Sequence, residues 1–146
     1  MSNPLQLLLV EDNPGDADLT RESIESSPFP IELNVAVNGT EAVEFIHQKG
    51  KFGSAPRPDL ILLDLNLPGI DGRGVLAEIK RHAKLKQIPV CMLTSSKAET
   101  DVMQSYDLGA NCYVVKPLDF KTFQSIVQTV ENFWFTTVRL PKRPAD

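Results

Sequence analysis

Five short apolar segments with strand character, separated by stretches of helical periodicity, constrain this chain more than any other feature of its sequence. The segments are Leu5 to Val10, Ile31 to Val37, Asp59 to Leu63, Ile88 to Leu93 and Asn111 to Val115. Between them lie stretches of helical periodicity, marked by Leu19 and Ile24 in the first, Ala42, Val43, Phe45 and Ile46 in the second, and Val75, Leu76 and Ile79 in the third. Two more helices are predicted near Ala98 to Leu108 and Asp119 to Phe133. Strands that alternate with helices run parallel and are joined by right-handed crossovers, so the fold class is α/β, an open, doubly wound, five-stranded parallel sheet covered on both faces. The first, third and fourth segments are near-continuous apolar runs, as central strands buried on both faces require. Ile31-Glu32-Leu33-Asn34-Val35 alternates instead, which predicts an edge strand. The punctuation agrees: Pro28 and Pro30 end the first helix, Asn38-Gly39 opens the second, and Lys51 to Pro58 forms a Gly/Pro-rich connection.

Composition narrows the function classes. A chain of 146 residues is the size of one domain, and such a domain buries roughly 68 to 70% of the surface its unfolded chain exposes, so no disulfide or metal staple is needed. Fifteen Lys plus Arg against 19 Asp plus Glu leave a formal charge of −4, which argues against broad nucleic-acid binding. Arg139, Lys142 and Arg143 are accordingly read as solvated charges. The longest apolar runs, Leu7 to Val10 and Leu60 to Leu63, fall far short of the ~20 residues a bilayer crossing needs. Met1-Ser2-Asn3-Pro4 has no basic stretch before an apolar one, so no signal peptide is expected and a cytoplasmic location is. Cys91 and Cys112 sit inside apolar segments and are expected to be buried structural thiols. His47 and His82, near helix ends among Lys and Arg, are read as surface positions that add no site.

In a sheet of this kind, sites form outside the carboxyl ends of the strands. There Leu7-Leu8-Leu9-Val10 ends in Glu11-Asp12, Leu60-Ile61-Leu62-Leu63 in Asp64, Val90-Cys91-Met92-Leu93 in Thr94-Ser95, and Tyr113-Val114-Val115 in Lys116-Pro117. Three carboxylates converging on one rim repel one another and raise each other's pKa unless a cation sits among them. Oxygen donors alone, with room for water and phosphate, suit Mg²⁺ better than zinc. Lys116 adds a positive charge and Thr94 a hydroxyl donor, which together describe a phosphoryl-binding pocket. A carboxylate flanked by a metal and a lysine can act as nucleophile and form an acyl phosphate. Taken singly, Asp12 before Asn13-Pro14 could be a helix cap, Thr94 could cap the fourth helix, and Lys116 could be a solvated loop charge. Their occurrence in order, each at the end of its own strand, favours the pocket.

Over residues 5 to 133 the chain resembles the receiver domains of two-component response regulators. The matching motifs are Val10-Glu11-Asp12, Asp64-Leu65-Asn66-Leu67-Pro68-Gly69-Ile70-Asp71-Gly72, Leu93-Thr94-Ser95, Gly109-Ala110 and Lys116-Pro117. The resemblance implies a flavodoxin-like fold with strand order 2-1-3-4-5, Asp64 as the phosphorylated aspartate and Asp12 as a direct Mg²⁺ ligand. It further implies that Glu11 acts through metal-bound water and that the main-chain carbonyl of Asn66 completes the ligands. The resemblance also implies that Thr94 follows the phosphoryl group inward, that Lys116 is its ion-pair partner, and that Tyr113 is the aromatic that swings between exposed and buried positions. A cis Lys116–Pro117 peptide is implied as well. Glu11 departs from the commoner aspartate, while Asn66 and Ser96 match positions that tune how long the acyl phosphate survives. A phosphohydrolase of the haloacid dehalogenase type would need a second acid two residues after Asp64, where this chain has Asn66. A receiver-like binding module that never takes phosphate is disfavoured by the intact Glu11, Asp12, Asp64, Thr94 and Lys116 set.

After the fifth helix the chain continues as Phe133-Trp134-Phe135-Thr136-Thr137-Val138-Arg139-Leu140-Pro141, too apolar for a free tail. Residues 1–133 are therefore read as the receiver and 134–146 as an extension that either packs back or, as the favoured reading, forms a homodimer interface with the fifth helix. Glu11-Asp12-Asn13-Pro14-Gly15-Asp16 and this extension are similar to cyanobacterial phytochrome-associated response regulators, single receivers without an output domain. That likeness implies a phosphoryl group supplied by the histidine kinase module of a phytochrome-like photoreceptor, and no enzymatic chemistry beyond the protein's own phosphorylation and dephosphorylation.

Overall fold

In the computed structural model, which describes residues 4–142, the sequence pattern becomes a three-layer α/β domain. The strands are β1 (Leu5–Val10), β2 (Ile31–Ala36), β3 (Leu60–Leu63), β4 (Val90–Thr94) and β5 (Cys112–Val115). The helices are α1 (Pro14–Glu25), α2 (Gly39–Ile46), α3 (Gly72–Arg81), α4 (Glu99–Asp107) and α5 (Phe120–Asn132). All strand pairs are parallel and the order is β2-β1-β3-β4-β5. The alternating strand is an edge, as its pattern predicts, and the five strands and helices α4 and α5 lie within two residues of their expected limits.

The unbroken apolar runs of β1, β3 and β4 follow from their two buried faces. Leu8, Val10, Ile61, Leu63, Val90 and Met92 point to one side, against Phe45 and Ile46 of α2 and Val75, Leu76 and Ile79 of α3. Leu7, Leu9, Leu60, Leu62, Cys91 and Leu93 point to the other, against Ala17 and Ile24 of α1 and Phe123 and Val127 of α5. Side chains satisfy the first amides of four helices: Asn13 accepts from Asp16 N at 3.0 Å, Asn38 from Glu41 N at 2.7 Å, Asp71 from Gly74 N at 3.1 Å and Asp119 from Thr122 N at 2.8 Å. Helix α4 has no side-chain cap and buries only Ser105, so it is the helix least anchored by local chemistry.

Helix α5 does not stop at Asn132 but widens into a π-helical turn, Phe133–Thr137, closed by Val138 N donating to Phe133 O at 3.0 Å. Trp134 and Phe135 are half-buried against the α1/α5 side of the core, whereas Phe133 is 47% exposed. Arg139 and Lys142 are exposed, and Arg143 lies outside the described residues. Among the described residues, no helix is long and apolar enough to cross a membrane.

Cys91 is buried, but Cys112 is only partly so, and the two are register partners across β4 and β5. The partial exposure of Cys112 corrects the expectation of two buried thiols, since β5 is an edge strand, and strand pairing joins positions that sequence spacing keeps apart.

One buried group opposes folding at neutral pH. Glu131 of α5 is 4% exposed, its Oε1 has no hydrogen-bond partner among the described residues, and burial raises its pKa to about 7. A carboxyl raised in the folded state contributes fully below its unfolded value of 4.5, and that contribution fades as pH rises through about 7. Glu131→Gln is therefore expected to stabilise the protein by up to about 3 kcal/mol at pH 8 and by little at pH 4.5. Urea unfolding at the two pH values measures this, and an equal effect at both would show that Glu131 carries no folding penalty.

Candidate functional site

Strand order reverses between β1 and β3, so the crevice outside their carboxyl ends is where a doubly wound sheet places a site. Val10 and Leu63 are register partners, and Asp64 N donates to Val10 O at 3.1 Å, which sets Glu11 and Asp64 side by side. Across the sheet Thr94 pairs with Val115, and Lys116 N donates to Thr94 O at 2.7 Å. The register thus brings residues from four strand ends to one rim.

Lys116 organises the rim. Its Nζ donates to Asp64 Oδ2 and Asp16 Oδ2, each at 3.0 Å, and pairs with Glu11 Oε1. Glu11, Asp64 and Lys116 are respectively 2%, 7% and 7% exposed, so these are low-dielectric contacts rather than surface pairs. Asp12 is exposed, and one carboxylate oxygen from each of Glu11, Asp12 and Asp64 lies within 4.8 Å of the others. The remaining Asp64 oxygen, Oδ1, accepts from Asn66 N at 3.2 Å, and Glu11 Oε2 accepts from Asn13 N at 3.2 Å. Both carboxyls are therefore oriented from two sides.

Burial pushes Glu11 up to about 7, with the Asp64 charge adding to the rise and Lys116 opposing it. Burial alone would lower the Lys116 pKa, but the hydrogen bond to Glu11, the charges of Asp64 and Glu11, and the bond to Asp16 hold it above the ordinary lysine value. One ammonium thus meets three carboxyls, those of Glu11, Asp16 and Asp64, and the Asp12 carboxylate stands near two of them. A hard divalent cation fits this all-oxygen set and would relieve its excess negative charge, with Glu11, Asp12 and Asp64 as candidate holders.

Local backbone packing fixes the loop that carries Asp64. Gly72, the first residue of α3, donates its amide to Leu65 O at 2.8 Å, and a Cβ there would stand 2.3 Å from Asp64 O and 2.6 Å from Leu65 Cα. Only glycine lets the helix start this close to the end of the strand that leads into Asp64.

Thr94 is fully buried, with Oγ1 at 3.5 Å from Ser96 N, and the cap residue of α4 is Ala98, so Thr94 is not a helix cap. Asp12 is not one either, since Asn13 caps α1, and Lys116 is no solvated charge. Tyr113 is half-buried and its hydroxyl donates to Ser96 O at 2.9 Å. The expected cis peptide at Lys116–Pro117 is absent; the bond is trans, the isomer that X–Pro bonds favour by about 0.5–1 kcal/mol.

Sequence reasoning gave Asp16 no role, although it grips Lys116 from 100 positions away. Its signal was local: three residues after the Asn13 cap, in the first turn of α1, it faces back toward the end of β1. A tether on α4 was missed as well. Arg73 of α3 pairs with Asp101 and donates from Nε to Gln104 Oε1 at 2.7 Å, while Ser96 Oγ donates to Asp101 Oδ2 at 2.5 Å.

A parallel sheet whose switch point gathers carboxylates around a buried lysine has the form of a phosphoacceptor signalling domain. The chain belongs to the response regulator receiver domain family, whose model matches residues 7–128. Response regulator Rcp1 of Synechocystis sp. is 48% identical over 141 residues, spanning 96% of this chain and 96% of the relative. The crystal structure of the Mn(2+)-bound form of response regulator Rcp1 matches with a TM-score of 0.92 at 47% identity, covering 95% of this chain and 100% of that one. That of the phosphorylated cyanobacterial phytochrome response regulator RcpA matches with a TM-score of 0.93 at 45% identity, covering 96% and 100%.

Proposed function

We propose that this receiver accepts a phosphoryl group on Asp64 from a sensor histidine kinase of the phytochrome type and thereby changes what its surface binds. The observation that carries the reading is the placement of Asp64 beside Glu11 and Asp12, with Lys116 Nζ bridging Glu11, Asp16 and Asp64. Asp12, Asp64 and the main-chain carbonyl of Asn66 would hold Mg²⁺, and Glu11 would act through a bound water. When present, the ion neutralises charge on the phosphoryl oxygens.

The chain's own residues do the rest. Asp64 supplies the attacking carboxylate oxygen; its bond to phosphorus forms as the bond from phosphorus to the donor's leaving group breaks. Lys116 stabilises the negative charge on the transferred oxygens, and the buried rim limits water. The protein promotes only its own phosphorylation and dephosphorylation, and it works beside its kinase in the cytoplasm, without nucleic acid.

The output is a population shift. Thr94 moves toward the phosphoryl group, Tyr113 turns inward, and the uncapped α4 follows. Met103 and Tyr106 of α4, with Leu118 and Phe120 beside β5 and α5, are exposed apolar groups on the face this would alter. Residues 1–133 form the receiver and 134–146 an extension; exposed Phe133, with Trp134, Phe135 and α5, contributes to a homodimer interface. In sedimentation, Phe133→Glu is expected to shift a wild-type dimer toward monomer, and an unchanged dimer would place the interface elsewhere.

The central test is intact mass after incubation with Mg²⁺ and acetyl phosphate. Wild type is expected to gain one phosphoryl adduct, and Asp64→Asn none. An adduct on Asp64→Asn would move the acceptor to another residue, and labelling of neither protein would favour a binding module that is not phosphorylated.

A further inference from the structure

The two histidines of this chain, read from sequence as unrelated surface residues, meet at one carboxylate. His47 caps the C-terminus of α2 and His82 that of α3, and these helices pack on the same side of the sheet. Their Nε2 atoms lie 2.9 and 3.0 Å from the same oxygen, Oε1 of Glu78, although His47 and Glu78 are 31 positions apart. The imidazole rings meet edge to face with centroids 4.7 Å apart. The side chains of His47 and Glu78 are each 18% exposed and that of His82 is 44% exposed, so the group is held by packing yet open to solvent on one side. Arg81 pairs with the other Glu78 oxygen, Oε2, which fixes the carboxylate and leaves Oε1 facing the histidines.

The arrangement has the chemistry of a borderline-metal site. One ligand atom from each of the three side chains lies within 4.8 Å of the other two. With metal–ligand bonds of 2.0–2.2 Å in tetrahedral geometry, neighbouring donor atoms stand roughly 3.3 Å apart. The two N···O separations are slightly shorter than this, so small ring rotations would admit an ion without moving the helices. Two imidazole nitrogens and one carboxylate oxygen, with a position left for water, suit Zn²⁺, whereas Mg²⁺ and Ca²⁺ favour all-oxygen sets. Without an ion, two N–H groups must share one carboxylate oxygen. An ion would replace both contacts with bonds from the nitrogen lone pairs, releasing protons only from an imidazole that was charged beforehand.

We propose that His47, Glu78 and His82 form a binding site for a divalent transition-metal ion of the Zn²⁺ class, which clasps the C-terminal ends of α2 and α3. Helices of a doubly wound sheet run antiparallel to its strands, so this site lies at the pole opposite Asp64. It is independent of the phosphoacceptor reading.

The test uses the untagged full chain, whose only histidines are these two, with ZnCl₂ as probe and excess Mg²⁺ to occupy the acidic rim. One equivalent of Zn²⁺ is expected to shift the Nε2 resonances of both imidazoles in a long-range ¹H–¹⁵N spectrum. The thermal midpoint should rise at the same ratio, since the ion binds the folded chain. In calorimetric titration His47→Ala and His82→Ala should each weaken Zn²⁺ binding at least about tenfold, while Asp12→Asn should leave it within about twofold. Unmoved imidazole resonances would overturn the proposal, as would affinity lost in Asp12→Asn and kept in His82→Ala. The triad would then be a hydrogen-bonded clasp alone. Should either alanine variant fail to fold, the wild-type imidazole spectrum still separates the two results.

Discussion

Lys116→Ala is expected to destabilise the protein by about 3–5 kcal/mol at pH 8, because removing one member of a buried ion cluster leaves the others uncompensated. Glu11 and Asp64 are nearly buried, and Lys116 is the ammonium that reaches both of them and Asp16. The loss should shrink at pH 5.5. Lys116 has a raised pKa, so its stabilising charge persists until strongly alkaline pH and does not vary across this window. Glu11 does vary: its pKa is raised from 4.5 to about 7, so its contribution is full below 4.5 and fades as pH rises through about 7. Without Lys116, which lowers it, that pKa rises further, and the gap between wild type and variant opens above pH 7 and narrows below it. Millimolar Mg²⁺ should restore part of the loss at pH 8 and bind the variant more tightly than wild type, since the ammonium no longer competes for Glu11 and Asp64. Urea unfolding at the two pH values, with and without Mg²⁺, measures all of this. A loss equal at both pH values would remove Glu11 from the explanation.

Gly72→Ala is expected to be nearly as damaging through a different cause. The added Cβ would meet backbone atoms, Asp64 O at 2.3 Å and Leu65 Cα at 2.6 Å, and backbone on both sides cannot turn aside as a flexible side chain can. Either α3 retreats from the sheet or the loop after β3 moves, at a cost of about 3 kcal/mol or more. Because that loop carries Asp64, labelling by acetyl phosphate should slow by about 100-fold, the penalty typical of a 1 Å misplacement of a reacting group. Gly69→Ala is the control. Gly69 has φ of +72° but nothing within 4 Å of a built Cβ, so only backbone strain of about 1–2 kcal/mol is expected. Equal effects from the two variants would show that conformation rather than close approach governs the loop.

The Arg73–Asp101–Ser96 tether suggests why α4 stays in place without a cap. Its contacts come from α3 and from the loop after β4, so the helix is held by groups that stand next to Gly72 and close after Thr94 in the chain. A change at Asp64 or Thr94 therefore has a short physical route to α4.

Much of this molecule was legible one residue at a time. The strands were visible because burial on two faces leaves Leu7 to Val10 and Leu60 to Leu63 without a polar residue, and the edge because β2 alternates. Glu11, Asp12, Asp64, Thr94 and Lys116 stood out because each interrupts an apolar run where a strand of this fold must end. Fold class, strand limits and the rim residues were thus determined by periodicity and punctuation, which are local properties of a chain. Tertiary structure decided the rest. It brought Asp16 to Lys116, set His47 and His82 on Glu78, aligned Cys91 with Cys112, and folded Trp134 and Phe135 against the core while leaving Phe133 outside. Those outcomes depend on strand register and on which helix faces share a buried surface, and both are fixed by the burial of residues far apart in the chain. Sequence spacing carries no measure of that distance, so a period can show which side chains face inward but not which of them meet.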